Sequence, residues 1–408
     1  MSRAGGDYTV RDEDSRRTRI RPMRKVLLLG GDADANLGDA GILAATCRCL
    51  ADVDPEVAIT IVSRRRRANS LPGVARVVTP GPAGFAWLLD AARRQDLIVV
   101  GGGGLLQDDD SRIKVPYWAS RLLALRVFQR NIVGLSLGVG PLEHAESRAS
   151  ARMICELLSS ISVRDEFAQD WLQRCSGRPV AVVPDPAFML EAASEQNAVD
   201  YVRSLGLNAE RPLLGVAVRG WFHKRGGFVP RKVRASLRLR DPHGRAEREQ
   251  FTENLAAEIR QLARRLDASV LLMPSYRLPH EGDVEASEAL AARLDGVSVG
   301  LAKIDDPSLF KAVAGRLSLM VAARMHPLIF AASMGVPVVG LAYNGKFEGA
   351  FRLLDLRGQL LDLELASNGT DGWLDAPVRA AFAASCAARD KTAALAQRVR
   401  AHTAALLH

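Results

Sequence analysis

Aromatic residues make up only 5% of this 408-residue chain, and none of its basic runs reads as a recognition motif for nucleic acid, so nucleic acid is not an expected partner. The five cysteines, Cys47, Cys49, Cys155, Cys175 and Cys386, are odd in number and contain no C-x-x-C pair. Neither a disulfide framework nor a zinc site follows from them. Long apolar runs are missing too: "KVLLLGG" and "DLIVVGGGGLL" are of strand length, well short of the ~20 residues a membrane helix needs. The first 25 residues are polar and basic and lead into no apolar segment of signal type. A cytoplasmic protein is the expectation.

With 48% hydrophobic and 25% charged residues, the chain can bury a substantial core, and its length suits two domains. The net charge of +9 is uneven, with one block at Arg64–Arg67 and eight basic residues without an acid between Arg219 and Arg240. Such runs serve an anionic partner or remain solvated loops. The Arg219–Arg240 segment carries Gly226 and Gly227 and reads as a flap over a cleft, a contact for a lipid-linked acceptor at the inner membrane face, or a solvated insertion.

From Lys25 onward, strand-like runs alternate with helical patterns: "KVLLL", "GILAATCRCLADV", "VAITIVS", "GFAWLLDAARR", "DLIVV", "VPYWASRLLALRVF", "NIVGLSL". The same alternation restarts near Pro212 with "PLLGVAV" and runs to "VPVVGLAY". Alternation of this kind builds parallel sheets covered by helices. The expected architecture is α/β: two Rossmann-like, doubly wound domains facing a cleft. A basic, flexible tail spans 1–23, the first domain 24–195, and the second 206–408 with closing C-terminal helices.

Parallel sheets bind ligands outside the carboxyl ends of their strands, and the loops there are rich in glycine. Gly30 and Gly31 precede Asn36, Gly38 and Asp39; Gly101, Gly102, Gly103 and Gly104 precede Gln107, Asp108, Asp109 and Asp110; Gly138 and Gly140 follow "VGLSL". Glycine either lets backbone N–H groups approach a ligand or simply makes a tight turn. The spacing excludes the dinucleotide motif G-x-G-x-x-G, and no G-x-x-x-x-G-K-[ST] phosphate loop occurs. The three consecutive aspartates suit a divalent cation or a helix cap and solvated turn; without a partner histidine, no metal is expected.

In "ARMHPLIFAASMGVPVVGLAYNGK", Pro327 predicts a helix starting there with His326 as its cap. Arg324 sits just before it, and Asn344 and Lys346 end the next strand at the same sheet edge. In the first domain "SISVRDEF" places Arg164 at a strand end, with Asp165 expected to cap the following helix. Guanidinium, imidazole and ammonium groups gathered at one cleft suit a compact anion.

"NLGDAGIL", "LIVVGGGGLLQD", "GLSLGVGP", "SVRD", "VVPDPAF" and the His326 stretch, in this order over about four fifths of the chain, resemble the polysaccharide pyruvyl transferases. That resemblance implies a fold like the GT-B glycosyltransferases and transfer of pyruvyl from phosphoenolpyruvate to two hydroxyls of a glycan sugar. Phosphoenolpyruvate is then a co-substrate and no cofactor is needed. It also implies that Arg164, His326 and Lys346 bind the donor. The position of His326 at a helix start among cations, with Arg324 beside it, makes it the expected acid or phosphate ligand, and Asp39, or else Asp108, each following a first-domain strand, is the expected base. The chain departs from the family pattern at Ala33 and Ala35, where glycines are usual, and at Ala40, where an acid often stands. These departures bear on the acceptor sugar, which the sequence leaves open along with oligomeric state. The rivals are a GT-B glycosyltransferase using a nucleotide sugar, for which no C-terminal acid is clearly placed to hold a ribose although Glu281 and Asp283 leave room for one, and a non-catalytic sugar- or anion-binding protein of the same fold.

Overall fold

A computed structural model of the chain describes residues 24–64, 70–79, 82–109, 111–220, 245–277, 282–343, 345–363 and 372–407. The 1–23 tail, Arg65–Arg67, Asp110, most of the Arg219–Arg240 segment, Glu281 and Asn344 lie outside the described residues.

The first sheet takes β1 (Lys25–Leu29), β2 (Ala58–Val62), β3 (Val74–Val78), β4 (Leu97–Gly101), β5 (Ile132–Leu137), β6 (Ser160–Val163) and β7 (Ala181–Val182). All pair in parallel, in the order β3-β2-β1-β4-β5-β6-β7. Its central strands are unbroken apolar runs because helices cover both faces. β3, "VARVV", stands outside the alternation read from the sequence: it is an edge strand, only partly buried and carrying Arg76.

The helices are α1 (Leu37–Val53), α2 (Pro82–Ala92), α3 (Lys114–Arg126), α4 (Ala145–Leu157), α5 (Glu166–Ser176) and α6 (Glu195–Ser204). Side chains of α2, α3, α4 and α5 share one core under the sheet, whereas α1 packs into a second core that continues into the other domain.

The second sheet orders β8 (Leu213–Ala217), β9 (Ser269–Leu272), β10 (Val299–Leu301), β11 (Leu319–Ala322), β12 (Val338–Ala342) and β13 (Leu360–Asp362) as β10-β9-β8-β11-β12-β13, again parallel. Its helices are α7 (Arg245–Arg265), α8 (Asp283–Ala291), α9 (Pro307–Ala314), α10 (Met325–Ser333), α11 (Lys346–Leu353) and α12 (Asp375–Ala405). The last is a single 31-residue helix that crosses back to pack on α1 and on the 3₁₀ turn Pro186–Met189. Among the described residues no helix is long and apolar enough to cross a membrane.

Both sheets reverse direction in mid-order, between β1 and β4 and between β8 and β11. Each reversal opens a crevice at the carboxyl ends of the strands, and the two crevices face each other. A short antiparallel bridge joins the domains at one end: Asn36 opposes Tyr276, Leu37 N donates to Ser275 O at 2.9 Å, and Arg277 N donates to Ala35 O at 3.1 Å. The Tyr276 hydroxyl adds a bond to the Asp32 carboxylate at 3.0 Å.

Candidate active site

The facing crevices enclose a cleft of about 590 Å³ lined by both domains. The loop after β1 supplies Gly30 through Asp34, Asn36 and Asp39; the loop after β4 supplies Gly104, Gln107 and Asp109; Arg164 follows β6 directly. The second domain contributes Arg219, Ser275, Tyr276, Arg324, His326, Tyr343 and Lys346.

The start of α1 is set by Asn36, whose side chain accepts from Gly38 N at 2.9 Å as the N-cap. Asp39, three residues on, does not cap the helix. Its carboxylate reaches back to accept from Asp32 N at 2.9 Å and thereby fixes the Gly30–Asp34 loop. Close packing explains the glycines around it: a Cβ on Gly31 or Gly103 would fall 2.4 Å and 2.6 Å from Asp39 carboxylate oxygens. Burial raises the Asp39 carboxyl above its ordinary value; His326 and the Asp32 N–H oppose this, and Asp185 and Asp32 add to it.

In the second domain α10 begins at Met325, with Arg324 as its N-cap, two residues before the start expected at Pro327. Proline marks the first turn, where the N–H is unbonded anyway, rather than the first residue. His326 is therefore the second residue of the helix. Its imidazole rests on the backbone of Gly38 across the interdomain boundary, where a Cβ would meet Nδ1 at 1.9 Å.

Asp185, in the "VVPDPAF" turn after β7, ties the cationic groups together. Arg164 Nη1 and His326 Nε2, from different domains, each lie 3.7 Å from its Oδ2. Its Oδ1 accepts from Ala187 N at 3.0 Å and caps the 3₁₀ turn. Burial alone would raise Asp185, but His326, Arg164 and the Ala187 N–H outweigh it and hold the carboxyl below its usual range. Neither Asp185 Oδ2 nor His326 Nε2 has a hydrogen-bond partner among the described residues, although both are buried. Asp165 caps α5 as expected, accepting from Ala168 N at 2.8 Å, and also accepts from Arg164 Nε at 3.1 Å.

The remaining expected site residues divide. Lys346 opens α11 and reaches Asp109 of the first domain at 3.2 Å, within the cleft. Arg324 lines the cleft as well, with its guanidinium held by the fully buried Asp283, which also accepts from Tyr276 N at 3.0 Å. That pairing leaves Asp283 unsuited to hold a ribose.

Asp108 is a correction: its side chain turns away from the cleft and accepts from Glu143 N and His144 N at 3.1 and 2.9 Å, with His144 Nδ1 at 3.0 Å. Its neighbour Asp109 faces the cleft instead. Gly138 and Gly140 are likewise packing residues rather than cleft lining: a Cβ would strike Gly103 O at 2.6 Å and Trp171 at 2.4 Å respectively. Gly102 has φ +70° and sits against Ile42; Gly103 has φ +74°. Only glycine takes these turns readily. Among the described residues no group of His, Cys, Asp and Glu is arranged to hold a metal ion.

Sequence reasoning missed the wall opposite the second domain. α3 buries Val115, Ala119, Leu122 and Leu125 against its sheet and turns Lys114, Tyr117, Trp118 and Arg121 to the cleft. Tyr117 and Trp118 meet edge-on at 6.2 Å, and Arg121 lies over both rings at 5.3 and 5.8 Å. The i, i+3, i+4, i+7 spacing of the four was the available signal. Asp185 had none beyond its place in the turn.

A family model described as polysaccharide pyruvyl transferase matches residues 36–345. Comparison with curated proteins returned no match. Among solved structures, UDP-GlcNAc 2-epimerase from Neisseria meningitidis bound to UDP-GlcNAc is similar with a TM-score of 0.60 at 12% identity, covering 94% of this chain and all of that one. Sucrose-phosphate synthase from Thermosynechococcus elongatus gives 0.59 at 14%, covering 94% and 98%. UDP-GlcNAc 2-epimerase from Methanocaldococcus jannaschii gives 0.55 at 12%, covering 87% and 96%. At such identities the likeness is one of fold: two parallel-sheet domains of GT-B type.

Proposed function

Because this chain belongs to the polysaccharide pyruvyl transferase family, we propose that it transfers the pyruvyl group of phosphoenolpyruvate to two hydroxyls of a glycan sugar, forming a cyclic ketal and releasing phosphate. The observation that carries this reading is the convergence of Arg164 and His326, from opposite domains, on Asp185, with Lys346 lining the same cleft. A small dianionic or trianionic donor fits such a set, since charge-assisted hydrogen bonds to carboxylate and phosphate are the strong ones. The first turn of α10 adds unbonded N–H groups and the positive end of its dipole.

Ketal formation protonates the methylene carbon of phosphoenolpyruvate, creating an oxocarbenium-like centre at the neighbouring carbon. One sugar hydroxyl bonds to that centre and loses its proton. Phosphate leaves by cleavage of its C–O bond, and the second hydroxyl closes the ring with loss of its proton. Two hydroxyl protons are thus released; the methyl group gains one, and phosphate accounts for the other. In this reading His326 protonates the methylene carbon or the departing phosphate. Asp39, facing it across the domain boundary, takes the proton of the attacking hydroxyl, a role that its raised pKa strengthens. Tyr117, Trp118 and Arg121 offer the acceptor an aromatic and cationic wall.

Calorimetry with phosphoenolpyruvate and a panel of nucleotide sugars tests the donor, on wild type, Arg164→Ala and Lys346→Gln. Binding of phosphoenolpyruvate that weakens at least tenfold in both variants is expected. Binding of a nucleotide sugar with no response to phosphoenolpyruvate would replace the reading by glycosyl transfer.

A further inference from the structure

Six of the ten large apolar side chains exposed among the described residues fall on or beside α2 and α3, which concentrates them on one face of the first domain. Phe85 and Trp87 are 41% and 50% exposed on α2. Ile113 precedes α3, Tyr117 and Leu123 lie within it, and Val127 follows it at 75% exposure. At 100° per residue, positions 113, 117, 120, 123 and 127 form one outward stripe of α3. The buried stripe, Val115, Ala119, Leu122 and Leu125, lies opposite, and the cleft-facing Lys114, Trp118 and Arg121 lie to one side.

The charge along the α3 segment has one sign. From Ser111 to Asn131 the sequence contains five basic residues, Arg112, Lys114, Arg121, Arg126 and Arg130, and no acid. Of these, Arg112 is paired with Glu146. On the neighbouring elements Arg76 lies over the Trp87 ring and Arg93 over Phe128, each at 4.3 Å, while Asp90 of α2 is paired with Arg94. Exposed Trp, Phe and Leu beside arginines, on helices seated on a folded core, form the composition of a surface that enters the headgroup layer of a bilayer. Arginine is suited to it, because its stem covers apolar surface while its head meets phosphate.

We propose that the α2–α3 face docks onto the surface of an anionic lipid bilayer, with Leu123 and Val127 entering the acyl boundary and the exposed Arg93 and Arg130 meeting lipid phosphates. A second copy of the chain fits the face less well. Pairing about a two-fold axis would set the same uncompensated arginines against each other. Since one flank of α3 is also a wall of the cleft, docking brings the cleft mouth to the membrane surface. An acceptor carried on a lipid would then arrive beside Tyr117 and Arg121.

The test is co-sedimentation of the full chain with vesicles of phosphatidylcholine containing about a third phosphatidylglycerol, against phosphatidylcholine alone, at about 0.1 M salt and higher. The variants are Leu123→Glu/Val127→Glu and Arg93→Glu/Arg130→Glu, all at positions outside the cleft lining. Wild type is expected to bind the anionic vesicles about tenfold better than the neutral ones. Binding should weaken with salt and fall about tenfold or more in each double variant, with melting temperature and phosphoenolpyruvate affinity unchanged. Failure of wild type to bind overturns the proposal, and so does binding that both variants retain, which would move the contact elsewhere, for example to the Arg219–Arg240 segment. A dimer dispersed by Leu123→Glu/Val127→Glu would make the face a subunit interface instead. None of these readouts depends on the ketal chemistry, so phosphoenolpyruvate binding and vesicle binding can fail separately.

Discussion

His326 and Gly38 touch across the domain boundary, the imidazole lying where any Cβ at position 38 would be, 1.9 Å from Nδ1. Gly38 sits in the first turn of α1, directly before Asp39, so one backbone contact sets the spacing between the imidazole of one domain and the carboxylate of the other. Gly38→Ala should therefore force the first turns of α1 and α10 apart. Overpacking of this kind costs about 1–3 kcal/mol, and a misplaced catalytic pair costs roughly 10²-fold in rate. Turnover measured alongside thermal melting checks this: the expected variant folds with a lowered melting temperature and has lost most of its kcat. Full activity would mean that His326 and Asp39 need no fixed separation.

His326→Gln separates proton transfer from donor binding. Glutamine retains a polar side chain of similar reach, so phosphoenolpyruvate affinity should change less than about tenfold, whereas kcat should fall by about 10²–10⁴ if the imidazole moves a proton. Calorimetry and steady-state rates on the same variant give both numbers. Near-normal turnover with weakened donor binding would reduce His326 to a phosphate ligand.

What was legible in the sequence follows the physics of short range. Strand-length apolar runs, the glycines after β1 and β4, and the cap Asp165 are local patterns, and the alternation they form implies the two sheets. Arg164, His326 and Lys346 were visible because each stands at the end of an apolar strand or in the turn just beyond it, where a cation has no core to support. The roles of Asp185 and Asp283 were not visible. Each is defined by an arginine far away in the chain, and only the sheet order brings β6 beside β7, or α8 near the end of β11. Tyr117 and Trp118 failed for a different reason: in a helix with a buried stripe, aromatic residues at its border read the same whether a second domain lies beyond them or not.

Asp108 and Asp109 make a paired test of which carboxylate belongs to the site. Asp108 accepts two backbone bonds and contacts His144, so Asp108→Ala leaves two part-buried N–H groups without this partner at a cost of about 1 kcal/mol. Its melting temperature should fall while phosphoenolpyruvate affinity holds. Asp109→Asn removes the charge beside Lys346 and should do the reverse, altering donor affinity several-fold with little change in stability. Thermal shift and calorimetry on both variants decide the matter, and equal behaviour of the two would contradict the placement of their side chains.

Asp39→Asn carries the base assignment, and pH makes it decisive. In the unfolded chain the Asp39 carboxyl titrates near pH 4, whereas in the folded protein burial moves it higher. Between the two values folding takes up a proton, so the stability linked to this group is fully present below the unfolded pKa and is lost as pH rises through the folded one. Asparagine accepts the Asp32 N–H bond through its carbonyl and does not titrate. The melting temperature of the variant relative to wild type should therefore rise from about pH 4 toward neutrality. At the same time kcat should fall by roughly 10²–10⁴, and the acid limb of the wild-type rate profile, set above the usual carboxylate range, should disappear. A melting temperature lowered equally at every pH, with activity in proportion to the folded fraction, would make Asp39 a brace for the Gly30–Asp34 loop and leave the attacking hydroxyl without its base.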